Sequence, residues 1–371
     1  MITVGVLYGG RSGEHEVSRC SGASVFSALD RSKYNVVAIG IDYDGAWYYQ
    51  KNPEIVKDPA FGNVLSIKKE GRWTVDSLAN TGKLVLREQK SGETVTVDCV
   101  FPAIHGTFCE DGTIQGLLDL AGCAYVGAGV LGSSAGMDKD ATKRILRDSG
   151  IPVTPWITVS RASWKKDPSG VIALAVKELG LPFFVKPANA GSSVGVNKVK
   201  SEKEAAEKIS DSLQYDTKVI IEKAVNAREI ECAVLGNDDP KASVLGEVIP
   251  NHEFYSYEAK YIDADGARLE IPAKLDKELS DRIRAAAVKG YSALYLSGMS
   301  RVDFFLDRDS GEIFLNEPNT LPGFTSISMY PKLWAETGIP YAELLDRLIE
   351  LALERRDARA SIKTVFGKKE G

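Results

Sequence analysis

The chain has 371 residues, and at roughly 150 residues per domain two or three domains are expected. Hydrophobic residues at 44% and charged residues at 26% supply a buried core and exclude wholesale disorder. With 46 Lys and Arg against 51 Asp and Glu, the net charge of −5 argues against a protein whose main work is gripping nucleic-acid phosphates.

Residues 2–8, ITVGVLY, read as a strand ending in Gly9 and Gly10. The loop RSGEHEVS follows, then a helical pattern through Ala23, Val25, Phe26 and Leu29, and a second strand, VVAIGID, at 36–42. This order predicts an α/β unit with a parallel sheet. Residues 43–97 turn polar and irregular and read as an insertion of hairpins on the first domain, which closes near 136 after a buried strand at 97–104 and a helix carrying Ile114, Leu117 and Leu118. Asp138 reads as a helix N-cap and Gly150 as its stop. Strands WITVS, LPFFVKP and VIIEKAV, with helices at 170–180 and 201–213, predict a second small α/β unit over 137–228. The third unit, 229–371, holds antiparallel-looking strands REIECAVLG and ASVLGEVIP and a polar loop at 251–267. A helix at 276–296, strands SRVDFFLD and EIFLNEPN, and an amphipathic last helix bearing Leu344, Leu345, Leu348, Ile349 and Ala352 complete it.

Five scattered cysteines without a CxxC pair suggest neither a disulfide framework nor a cysteine zinc site, and point to a reducing compartment. The N-terminus lacks a basic signal region, and no run approaches the roughly 18 apolar residues of a membrane span, so a cytoplasmic protein with no membrane partner is expected. GAGVLG at 127–132 matches GxGxxG but trails a short strand outside the first βαβ unit, so it reads as a tight turn rather than a dinucleotide site.

Alternation in the last strands predicts Arg301, Asp303 and Phe305 on one face, and Ile313, Leu315, Glu317 and Asn319 on one face. Asp, Glu and Asn are hard oxygen donors suited to magnesium beside phosphate. Lys186 at the end of FFVK, the loop NAGSSVG and Lys139 supply backbone amides, hydroxyls and ammonium groups for phosphate oxygens.

With these residues in view, the chain resembles the D-alanine–D-alanine ligases of the ATP-grasp superfamily. The resemblance rests on LYGGRSGEHEVS, HGTFCEDGTIQG, YVGAGVLGSSAGMDK, FFVKPANAGSSVGV, IIEKAV, SYEAKY, SRVDFFLD and NEPNTLPGFTSIS, in the family's order. It implies a multidomain α/β and α+β chain: a parallel-sheet N-terminal domain followed by the two halves of an ATP-grasp fold. It further implies ATP held by Lys139, Lys186, Ser193 in the 191–195 loop, Glu222 and Glu229, with Lys260 closing from a mobile loop. Asp303, Glu317 and Asn319 would bind two magnesium ions, or manganese in their place. Glu16, with Ser192 and Tyr261, would orient the first D-alanine by its ammonium, and His105 would lie near its carboxylate. Arg301 and Gly323 would meet the oxyanion, and Ser328 would hold the second D-alanine's carboxylate.

The implied reaction makes D-alanyl-D-alanine for peptidoglycan through a D-alanyl phosphate, in a homodimer. Tyr261 and the apolar Met329 favour D-alanine over D-lactate or D-serine as acceptor. Ile327 and TLPGF depart from the histidine and TSPGM of other members but leave Gly323 and Ser328 in register. His15 reads as a loop residue paired with a neighbouring acid. Another ATP-grasp carboxylate–amine ligase, and a nucleotide-binding module without turnover, are the competing readings.

Overall fold

The computed structural model describes residues 1–76, 81–250 and 266–363. The β-branched run at the start forms strand Ile2–Gly9, the middle of an eight-stranded sheet. It pairs in parallel with Tyr34–Ile41 on one side and Cys99–Pro102 on the other, and Ala124–Tyr125 adds a further parallel edge. Helix His15–Ala28 makes the crossover from Ile2–Gly9 to Tyr34–Ile41. The expected parallel α/β unit is therefore present, but the hairpins of 43–97 do more than decorate it. Strands Trp47–Gln50, Trp73–Val75, Leu84–Glu88 and Thr94–Val97 extend the same sheet antiparallel. The sheet curls, so that Val97 at its far edge packs against Gly5 in its middle.

A four-stranded antiparallel sheet follows, in the order Trp156–Ser160, Lys218–Lys223, Phe183–Pro187, Asn197–Val199. Its core joins Val159, Phe183, Val185 and Ile221 to Ala175, Ile209 and Leu213 of helices Pro168–Leu179 and Glu202–Tyr215. Between the first two sheets, helix Lys139–Asp148 starts where Asp138 caps the amides of Asp140 and Ala141 at 3.1 and 3.0 Å, as the sequence predicts.

The third sheet has five antiparallel strands, in the order Ala267–Glu270, Lys241–Pro250, Ala227–Gly236, Gly298–Asp307, Ile313–Asn319. Ile230, Cys232, Val302 and Phe304 point to helices Lys277–Ala293 and Lys139–Asp148. On the opposite face Ala233, Leu235 and Met299 join the core of the first sheet. Helices Met329–Glu336 and Tyr341–Ala360 pack into that same core through Leu333, Leu344, Leu348 and Ile349. All five cysteines are buried free thiols. No helix among the described residues is long and apolar enough to cross a membrane.

One alternation is corrected by the structure. A bulge lies between Asp303 and Phe304, so Glu317 pairs with Asp303 while Leu315 pairs with Phe304. Leu315 therefore points into the core, on the face opposite Glu317.

Candidate active site

The polar end of the third sheet carries a transverse row of acids. Glu231, Asp303 and Glu317 are register partners across three neighbouring strands, and Arg301 and Asn319 are partners one step along. Arg301 holds both oxygens of Asp303 at 2.7 Å and lies 3.0 Å from Glu231. Asn319 donates to Asp303 at 2.8 Å. The guanidinium thus spreads positive charge over a carboxylate pair that would otherwise repel. Among the described residues no three His, Cys, Asp or Glu side chains form a cluster suited to a metal ion. What its last two strands offer is two carboxylates and one amide, Asp303, Glu317 and Asn319, a donor set of hard oxygens that fits magnesium bound together with phosphate oxygens. Asp303, Glu317 and Asn319 are the residues that would hold it.

Facing this row, helix Lys139–Asp148 and the second sheet contribute lysines. Lys139, at the start of its helix, donates to the carbonyl of Ala190 at 2.7 Å and stands 3.3 Å from Glu317. Lys186 lies on the same face as Phe184, as alternation requires, and its ammonium sits 5.7 Å from the ring of Phe305 on the third sheet. It is ion-paired with Glu222. Glu222 is only 1% exposed, and accepts from Lys186 on one oxygen and from Lys143 and Thr154 on the other. Burial alone would raise the Glu222 pKa, but the two lysines drive it well below the ordinary carboxylate range. Burial also opposes the charge of Lys186, yet Glu222, Glu317 and Glu229 hold its pKa above the usual lysine value. In Lys143 burial wins and the pKa falls despite Glu222.

The loop after Lys186 carries Ser192 and Ser193 at φ of 50° and 60°, a left-handed conformation that non-glycine residues adopt at a cost. Ser192 donates to Glu14, not Glu16. Glu14 stands at the N-cap position of helix His15–Ala28, and its carboxylate lies against Gly106, where a Cβ would come within 2.5 Å of it. A side chain at 106 would close that approach. Glu16, already inside the first turn, faces elsewhere: it pairs with Arg19 at 2.6 Å and accepts from Tyr43 at 2.8 Å. The structure therefore brings Glu14 to the serine loop and leaves Glu16 outside it. His15 is buried, bonded to the carbonyl of Gly10 at 2.7 Å and stacked on Tyr43 at 3.7 Å, rather than paired with an adjacent acid.

His105 lies behind Glu14. Its Nδ1 meets the carbonyl of Leu321 at 3.0 Å, its Nε2 meets Ser21 at 2.9 Å, and Glu110 stands 3.7 Å away. Burial disfavours charge on His105, but Glu110, Glu14 and the Leu321 carbonyl hold its pKa above the ordinary value. Burial pushes Glu110 up to about 7, against the pull of His105 and with the help of Glu14.

The loop before helix Met329–Glu336 brings Gly323 and Ser328 together, since a Cβ on Gly323 would lie 2.7 Å from Ser328 Oγ. Ser328 is held by Thr325, through its amide at 3.0 Å and its hydroxyl at 2.8 Å. Met329 packs beneath Gly246 in the core, so it does not line the surface beside Ser328 as the sequence suggests; the exposed apolar neighbour is Ile327. Glu229 lies on the face of the acid row, paired in register with Phe305. Lys260 and Tyr261, with most of the expected loop at 251–267, fall outside the described residues.

Sequence reasoning missed Glu14, Glu110, Lys143, Thr154 and Glu231. Two of them carried a signal. Lys143 is four residues after Lys139, one helical turn on the same face, and Glu231 is two after Glu229, on one face of its strand.

The family description "D-ala D-ala ligase N-terminus" matches residues 3–128, and "D-ala D-ala ligase C-terminus" matches residues 145–350. D-alanine–D-alanine ligase A of Bradyrhizobium diazoefficiens is 49% identical over 98% of this chain and 98% of its own length. Ligase A of Escherichia coli K12 is 46% identical over 98% of this chain and 99% of its own. Among solved structures, the D-alanine–D-alanine ligase of Coxiella burnetii superposes with a TM-score of 0.79 at 34% identity, covering 97% of this chain and 96% of that one. The VanG D-Ala:D-Ser ligase of Enterococcus faecalis gives 0.81 at 34% identity, covering 95% and 99%. With both halves matched and near full-length relatives close to half identical, the chain belongs to the D-alanine–D-alanine ligase family.

Proposed function

We propose that the chain joins two D-alanines to D-alanyl-D-alanine at the expense of ATP, for peptidoglycan precursors, in the cytoplasm. The observation that carries this reading is the acid row of Glu231, Asp303 and Glu317 set against Lys139, Lys186 and Glu222. Such a cleft suits a triphosphate: carboxylates for its cations on one wall, ammonium groups for its oxygens on the other.

In the first step a carboxylate oxygen of the first D-alanine attacks the γ-phosphorus and ADP leaves. In the second, the neutral amine of the second D-alanine attacks the acyl carbon, and phosphate departs from the tetrahedral intermediate, carrying away the proton that the nitrogen gives up. Two magnesium ions, or manganese, held by Asp303, Glu317 and Asn319 would neutralise charge on the phosphoryl oxygens. Lys139, Lys186, Ser193, Glu222 and Glu229 bind the nucleotide in this reading. Glu14, fixed by Ser192, takes the ammonium of the first D-alanine, the role that the family resemblance gives to Glu16. Arg301 and the amide of Gly323 meet the oxyanion as it develops. Ser328 receives the second carboxylate, and His105 supports the first amino acid from behind Glu14. Lys260 and Tyr261 complete the site when their loop closes and excludes water from the acyl phosphate.

The domain limits we propose are 1–136, 137–228 and 229–371. A homodimer belongs to the proposal, with exposed Leu120 and Leu131 offering apolar surface for it. The decisive test is ADP release by the purified protein with ATP, magnesium and each alanine enantiomer, with D-serine and D-lactate as competing acceptors. D-alanine should be required and the dipeptide should dominate. ADP release indifferent to D-alanine, or preferential ester or D-serine product, would refute the assignment.

A further inference from the structure

Helix Lys139–Asp148 presents two lysines one turn apart, with different fates. Lys139 opens into the cleft, while Lys143 turns beneath the second sheet and is 1% exposed. The three protons of the Lys143 ammonium have three acceptors: Glu222, the hydroxyl of Thr154 at 2.8 Å, and the carbonyl of Thr154 at 3.4 Å. Thr154 passes its own proton to the same Glu222 oxygen. Lys143 therefore has no donor left for a ligand and no route to one. An apolar side chain of similar volume would fill its place but leave buried Glu222 one counter-ion short. The charge itself must be accounted for.

Its effect is on Glu222. That carboxylate has two ammonium partners, one per oxygen, and only Lys186 of the two borders the cleft. Phosphates entering the cleft draw on Lys186. If Lys186 were the sole counter-ion, each such movement would strand a buried carboxylate, and the cost would fall on nucleotide affinity. With Lys143 and Thr154 keeping the other oxygen, Glu222 stays charged and oriented when its outer partner turns away.

We propose that Lys143 is a positioning residue of the nucleotide site, holding the Glu222 carboxylate so that Lys186 is free to exchange it for phosphate oxygens. This rests on the reading of the cleft as a nucleotide site. It makes a specific demand: the Lys143 charge matters for ligands that carry phosphates and not for the nucleoside alone, because only phosphates pull Lys186 off Glu222.

The test compares binding of β,γ-imido ATP with magnesium and binding of adenosine, by calorimetry, in the native chain and in Lys143→Gln, Lys143→Met and Lys143→Arg. The neutral variants should bind the triphosphate at least tenfold more weakly and adenosine within threefold of native, with KM for D-alanine unchanged. Lys143→Arg should recover most of the lost affinity. If Lys143→Met does not fold, Lys143→Gln, which retains a donor toward Glu222, carries the comparison. Equal weakening for both ligands, or no weakening for either, overturns the proposal. A native chain that fails to bind the triphosphate would instead overturn the nucleotide-site reading beneath it.

Discussion

Glu14 and Glu16 are separated by a single histidine, yet they serve different parts of the molecule. The helix begins between them, at His15. A residue at the N-cap leaves along the incoming loop, whereas one inside the first turn is rotated about 100° per residue onto the helix flank. Glu14→Gln should lower kcat/KM for D-alanine by about 10- to 150-fold, the factor for the ~1.5–3 kcal/mol of a hydrogen bond to a charged group. Glu16→Gln loses a half-buried pair with Arg19 away from the serine loop and should stay within about threefold. Steady-state kinetics on both variants separates the two, and an inverted ranking would return the role to Glu16. Glu110 gives a pH signature. Between 4.5, its ordinary value, and about 7, native Glu110 keeps a proton that the unfolded chain has released. The native state then binds more protons, so stability falls as pH rises through this window. His105 has the same sign: held above 6.5, it contributes stability fully below that pH and loses it as pH passes its folded value. Each group adds at most ~1.4 kcal/mol per pH unit. Urea denaturation at pH 5, 6, 7 and 8 should show a flatter profile for Glu110→Gln, and an unchanged profile would contradict the raised pKa.

At the scale of elements, the bulge after Asp303 decides which side of the last strand reaches the cleft. Leu315→Ala should cost about 2–5 kcal/mol of stability, as for other fully buried leucines, and leave the magnesium dependence of turnover unchanged. Altered metal dependence without loss of stability would place Leu315 beside Glu317 after all. Much of the architecture was legible in the sequence because its cues are local. The alternation in SRVDFFLD, the Asp138 cap and the leucine stripe at 344–352 each follow from one element's own periodicity. The bulge was not legible, because period-2 reasoning assumes an unbroken ladder and one extra residue shifts its phase. The hairpins of 43–97 were legible as strands, but their joining the first sheet depends on pairing partners distant in sequence. The same holds for the site. Residue types at the acid row and Lys186 stood out from their strands, whereas Thr154 and Glu110 acquire meaning only through neighbours that folding brings to them.

For the whole molecule, the last helix ties the parts together. Arg355 donates to the carbonyl of Tyr125 at 2.9 Å, to Ser297 at 2.8 Å and to the carbonyl of Gly127, and lies 4.3 Å from the ring of Tyr125. One half-buried guanidinium thus bridges the end of the first sheet and the third. Arg355→Ala should cost about 1.5–3 kcal/mol for the charged hydrogen bonds lost, read as a lowered midpoint in urea with turnover per folded molecule preserved. A variant as stable as the native chain would reduce the bridge to a surface contact.

That helix carries a consequence for biosynthesis. The apolar surface around strand Ile2–Gly9 is sealed by Leu344, Leu345, Leu348 and Ile349, synthesised more than three hundred positions after it. Until that helix is made, the nascent first sheet keeps an open apolar flank. A ligase built this way acquires its working shape only once helix Tyr341–Ala360 is in place.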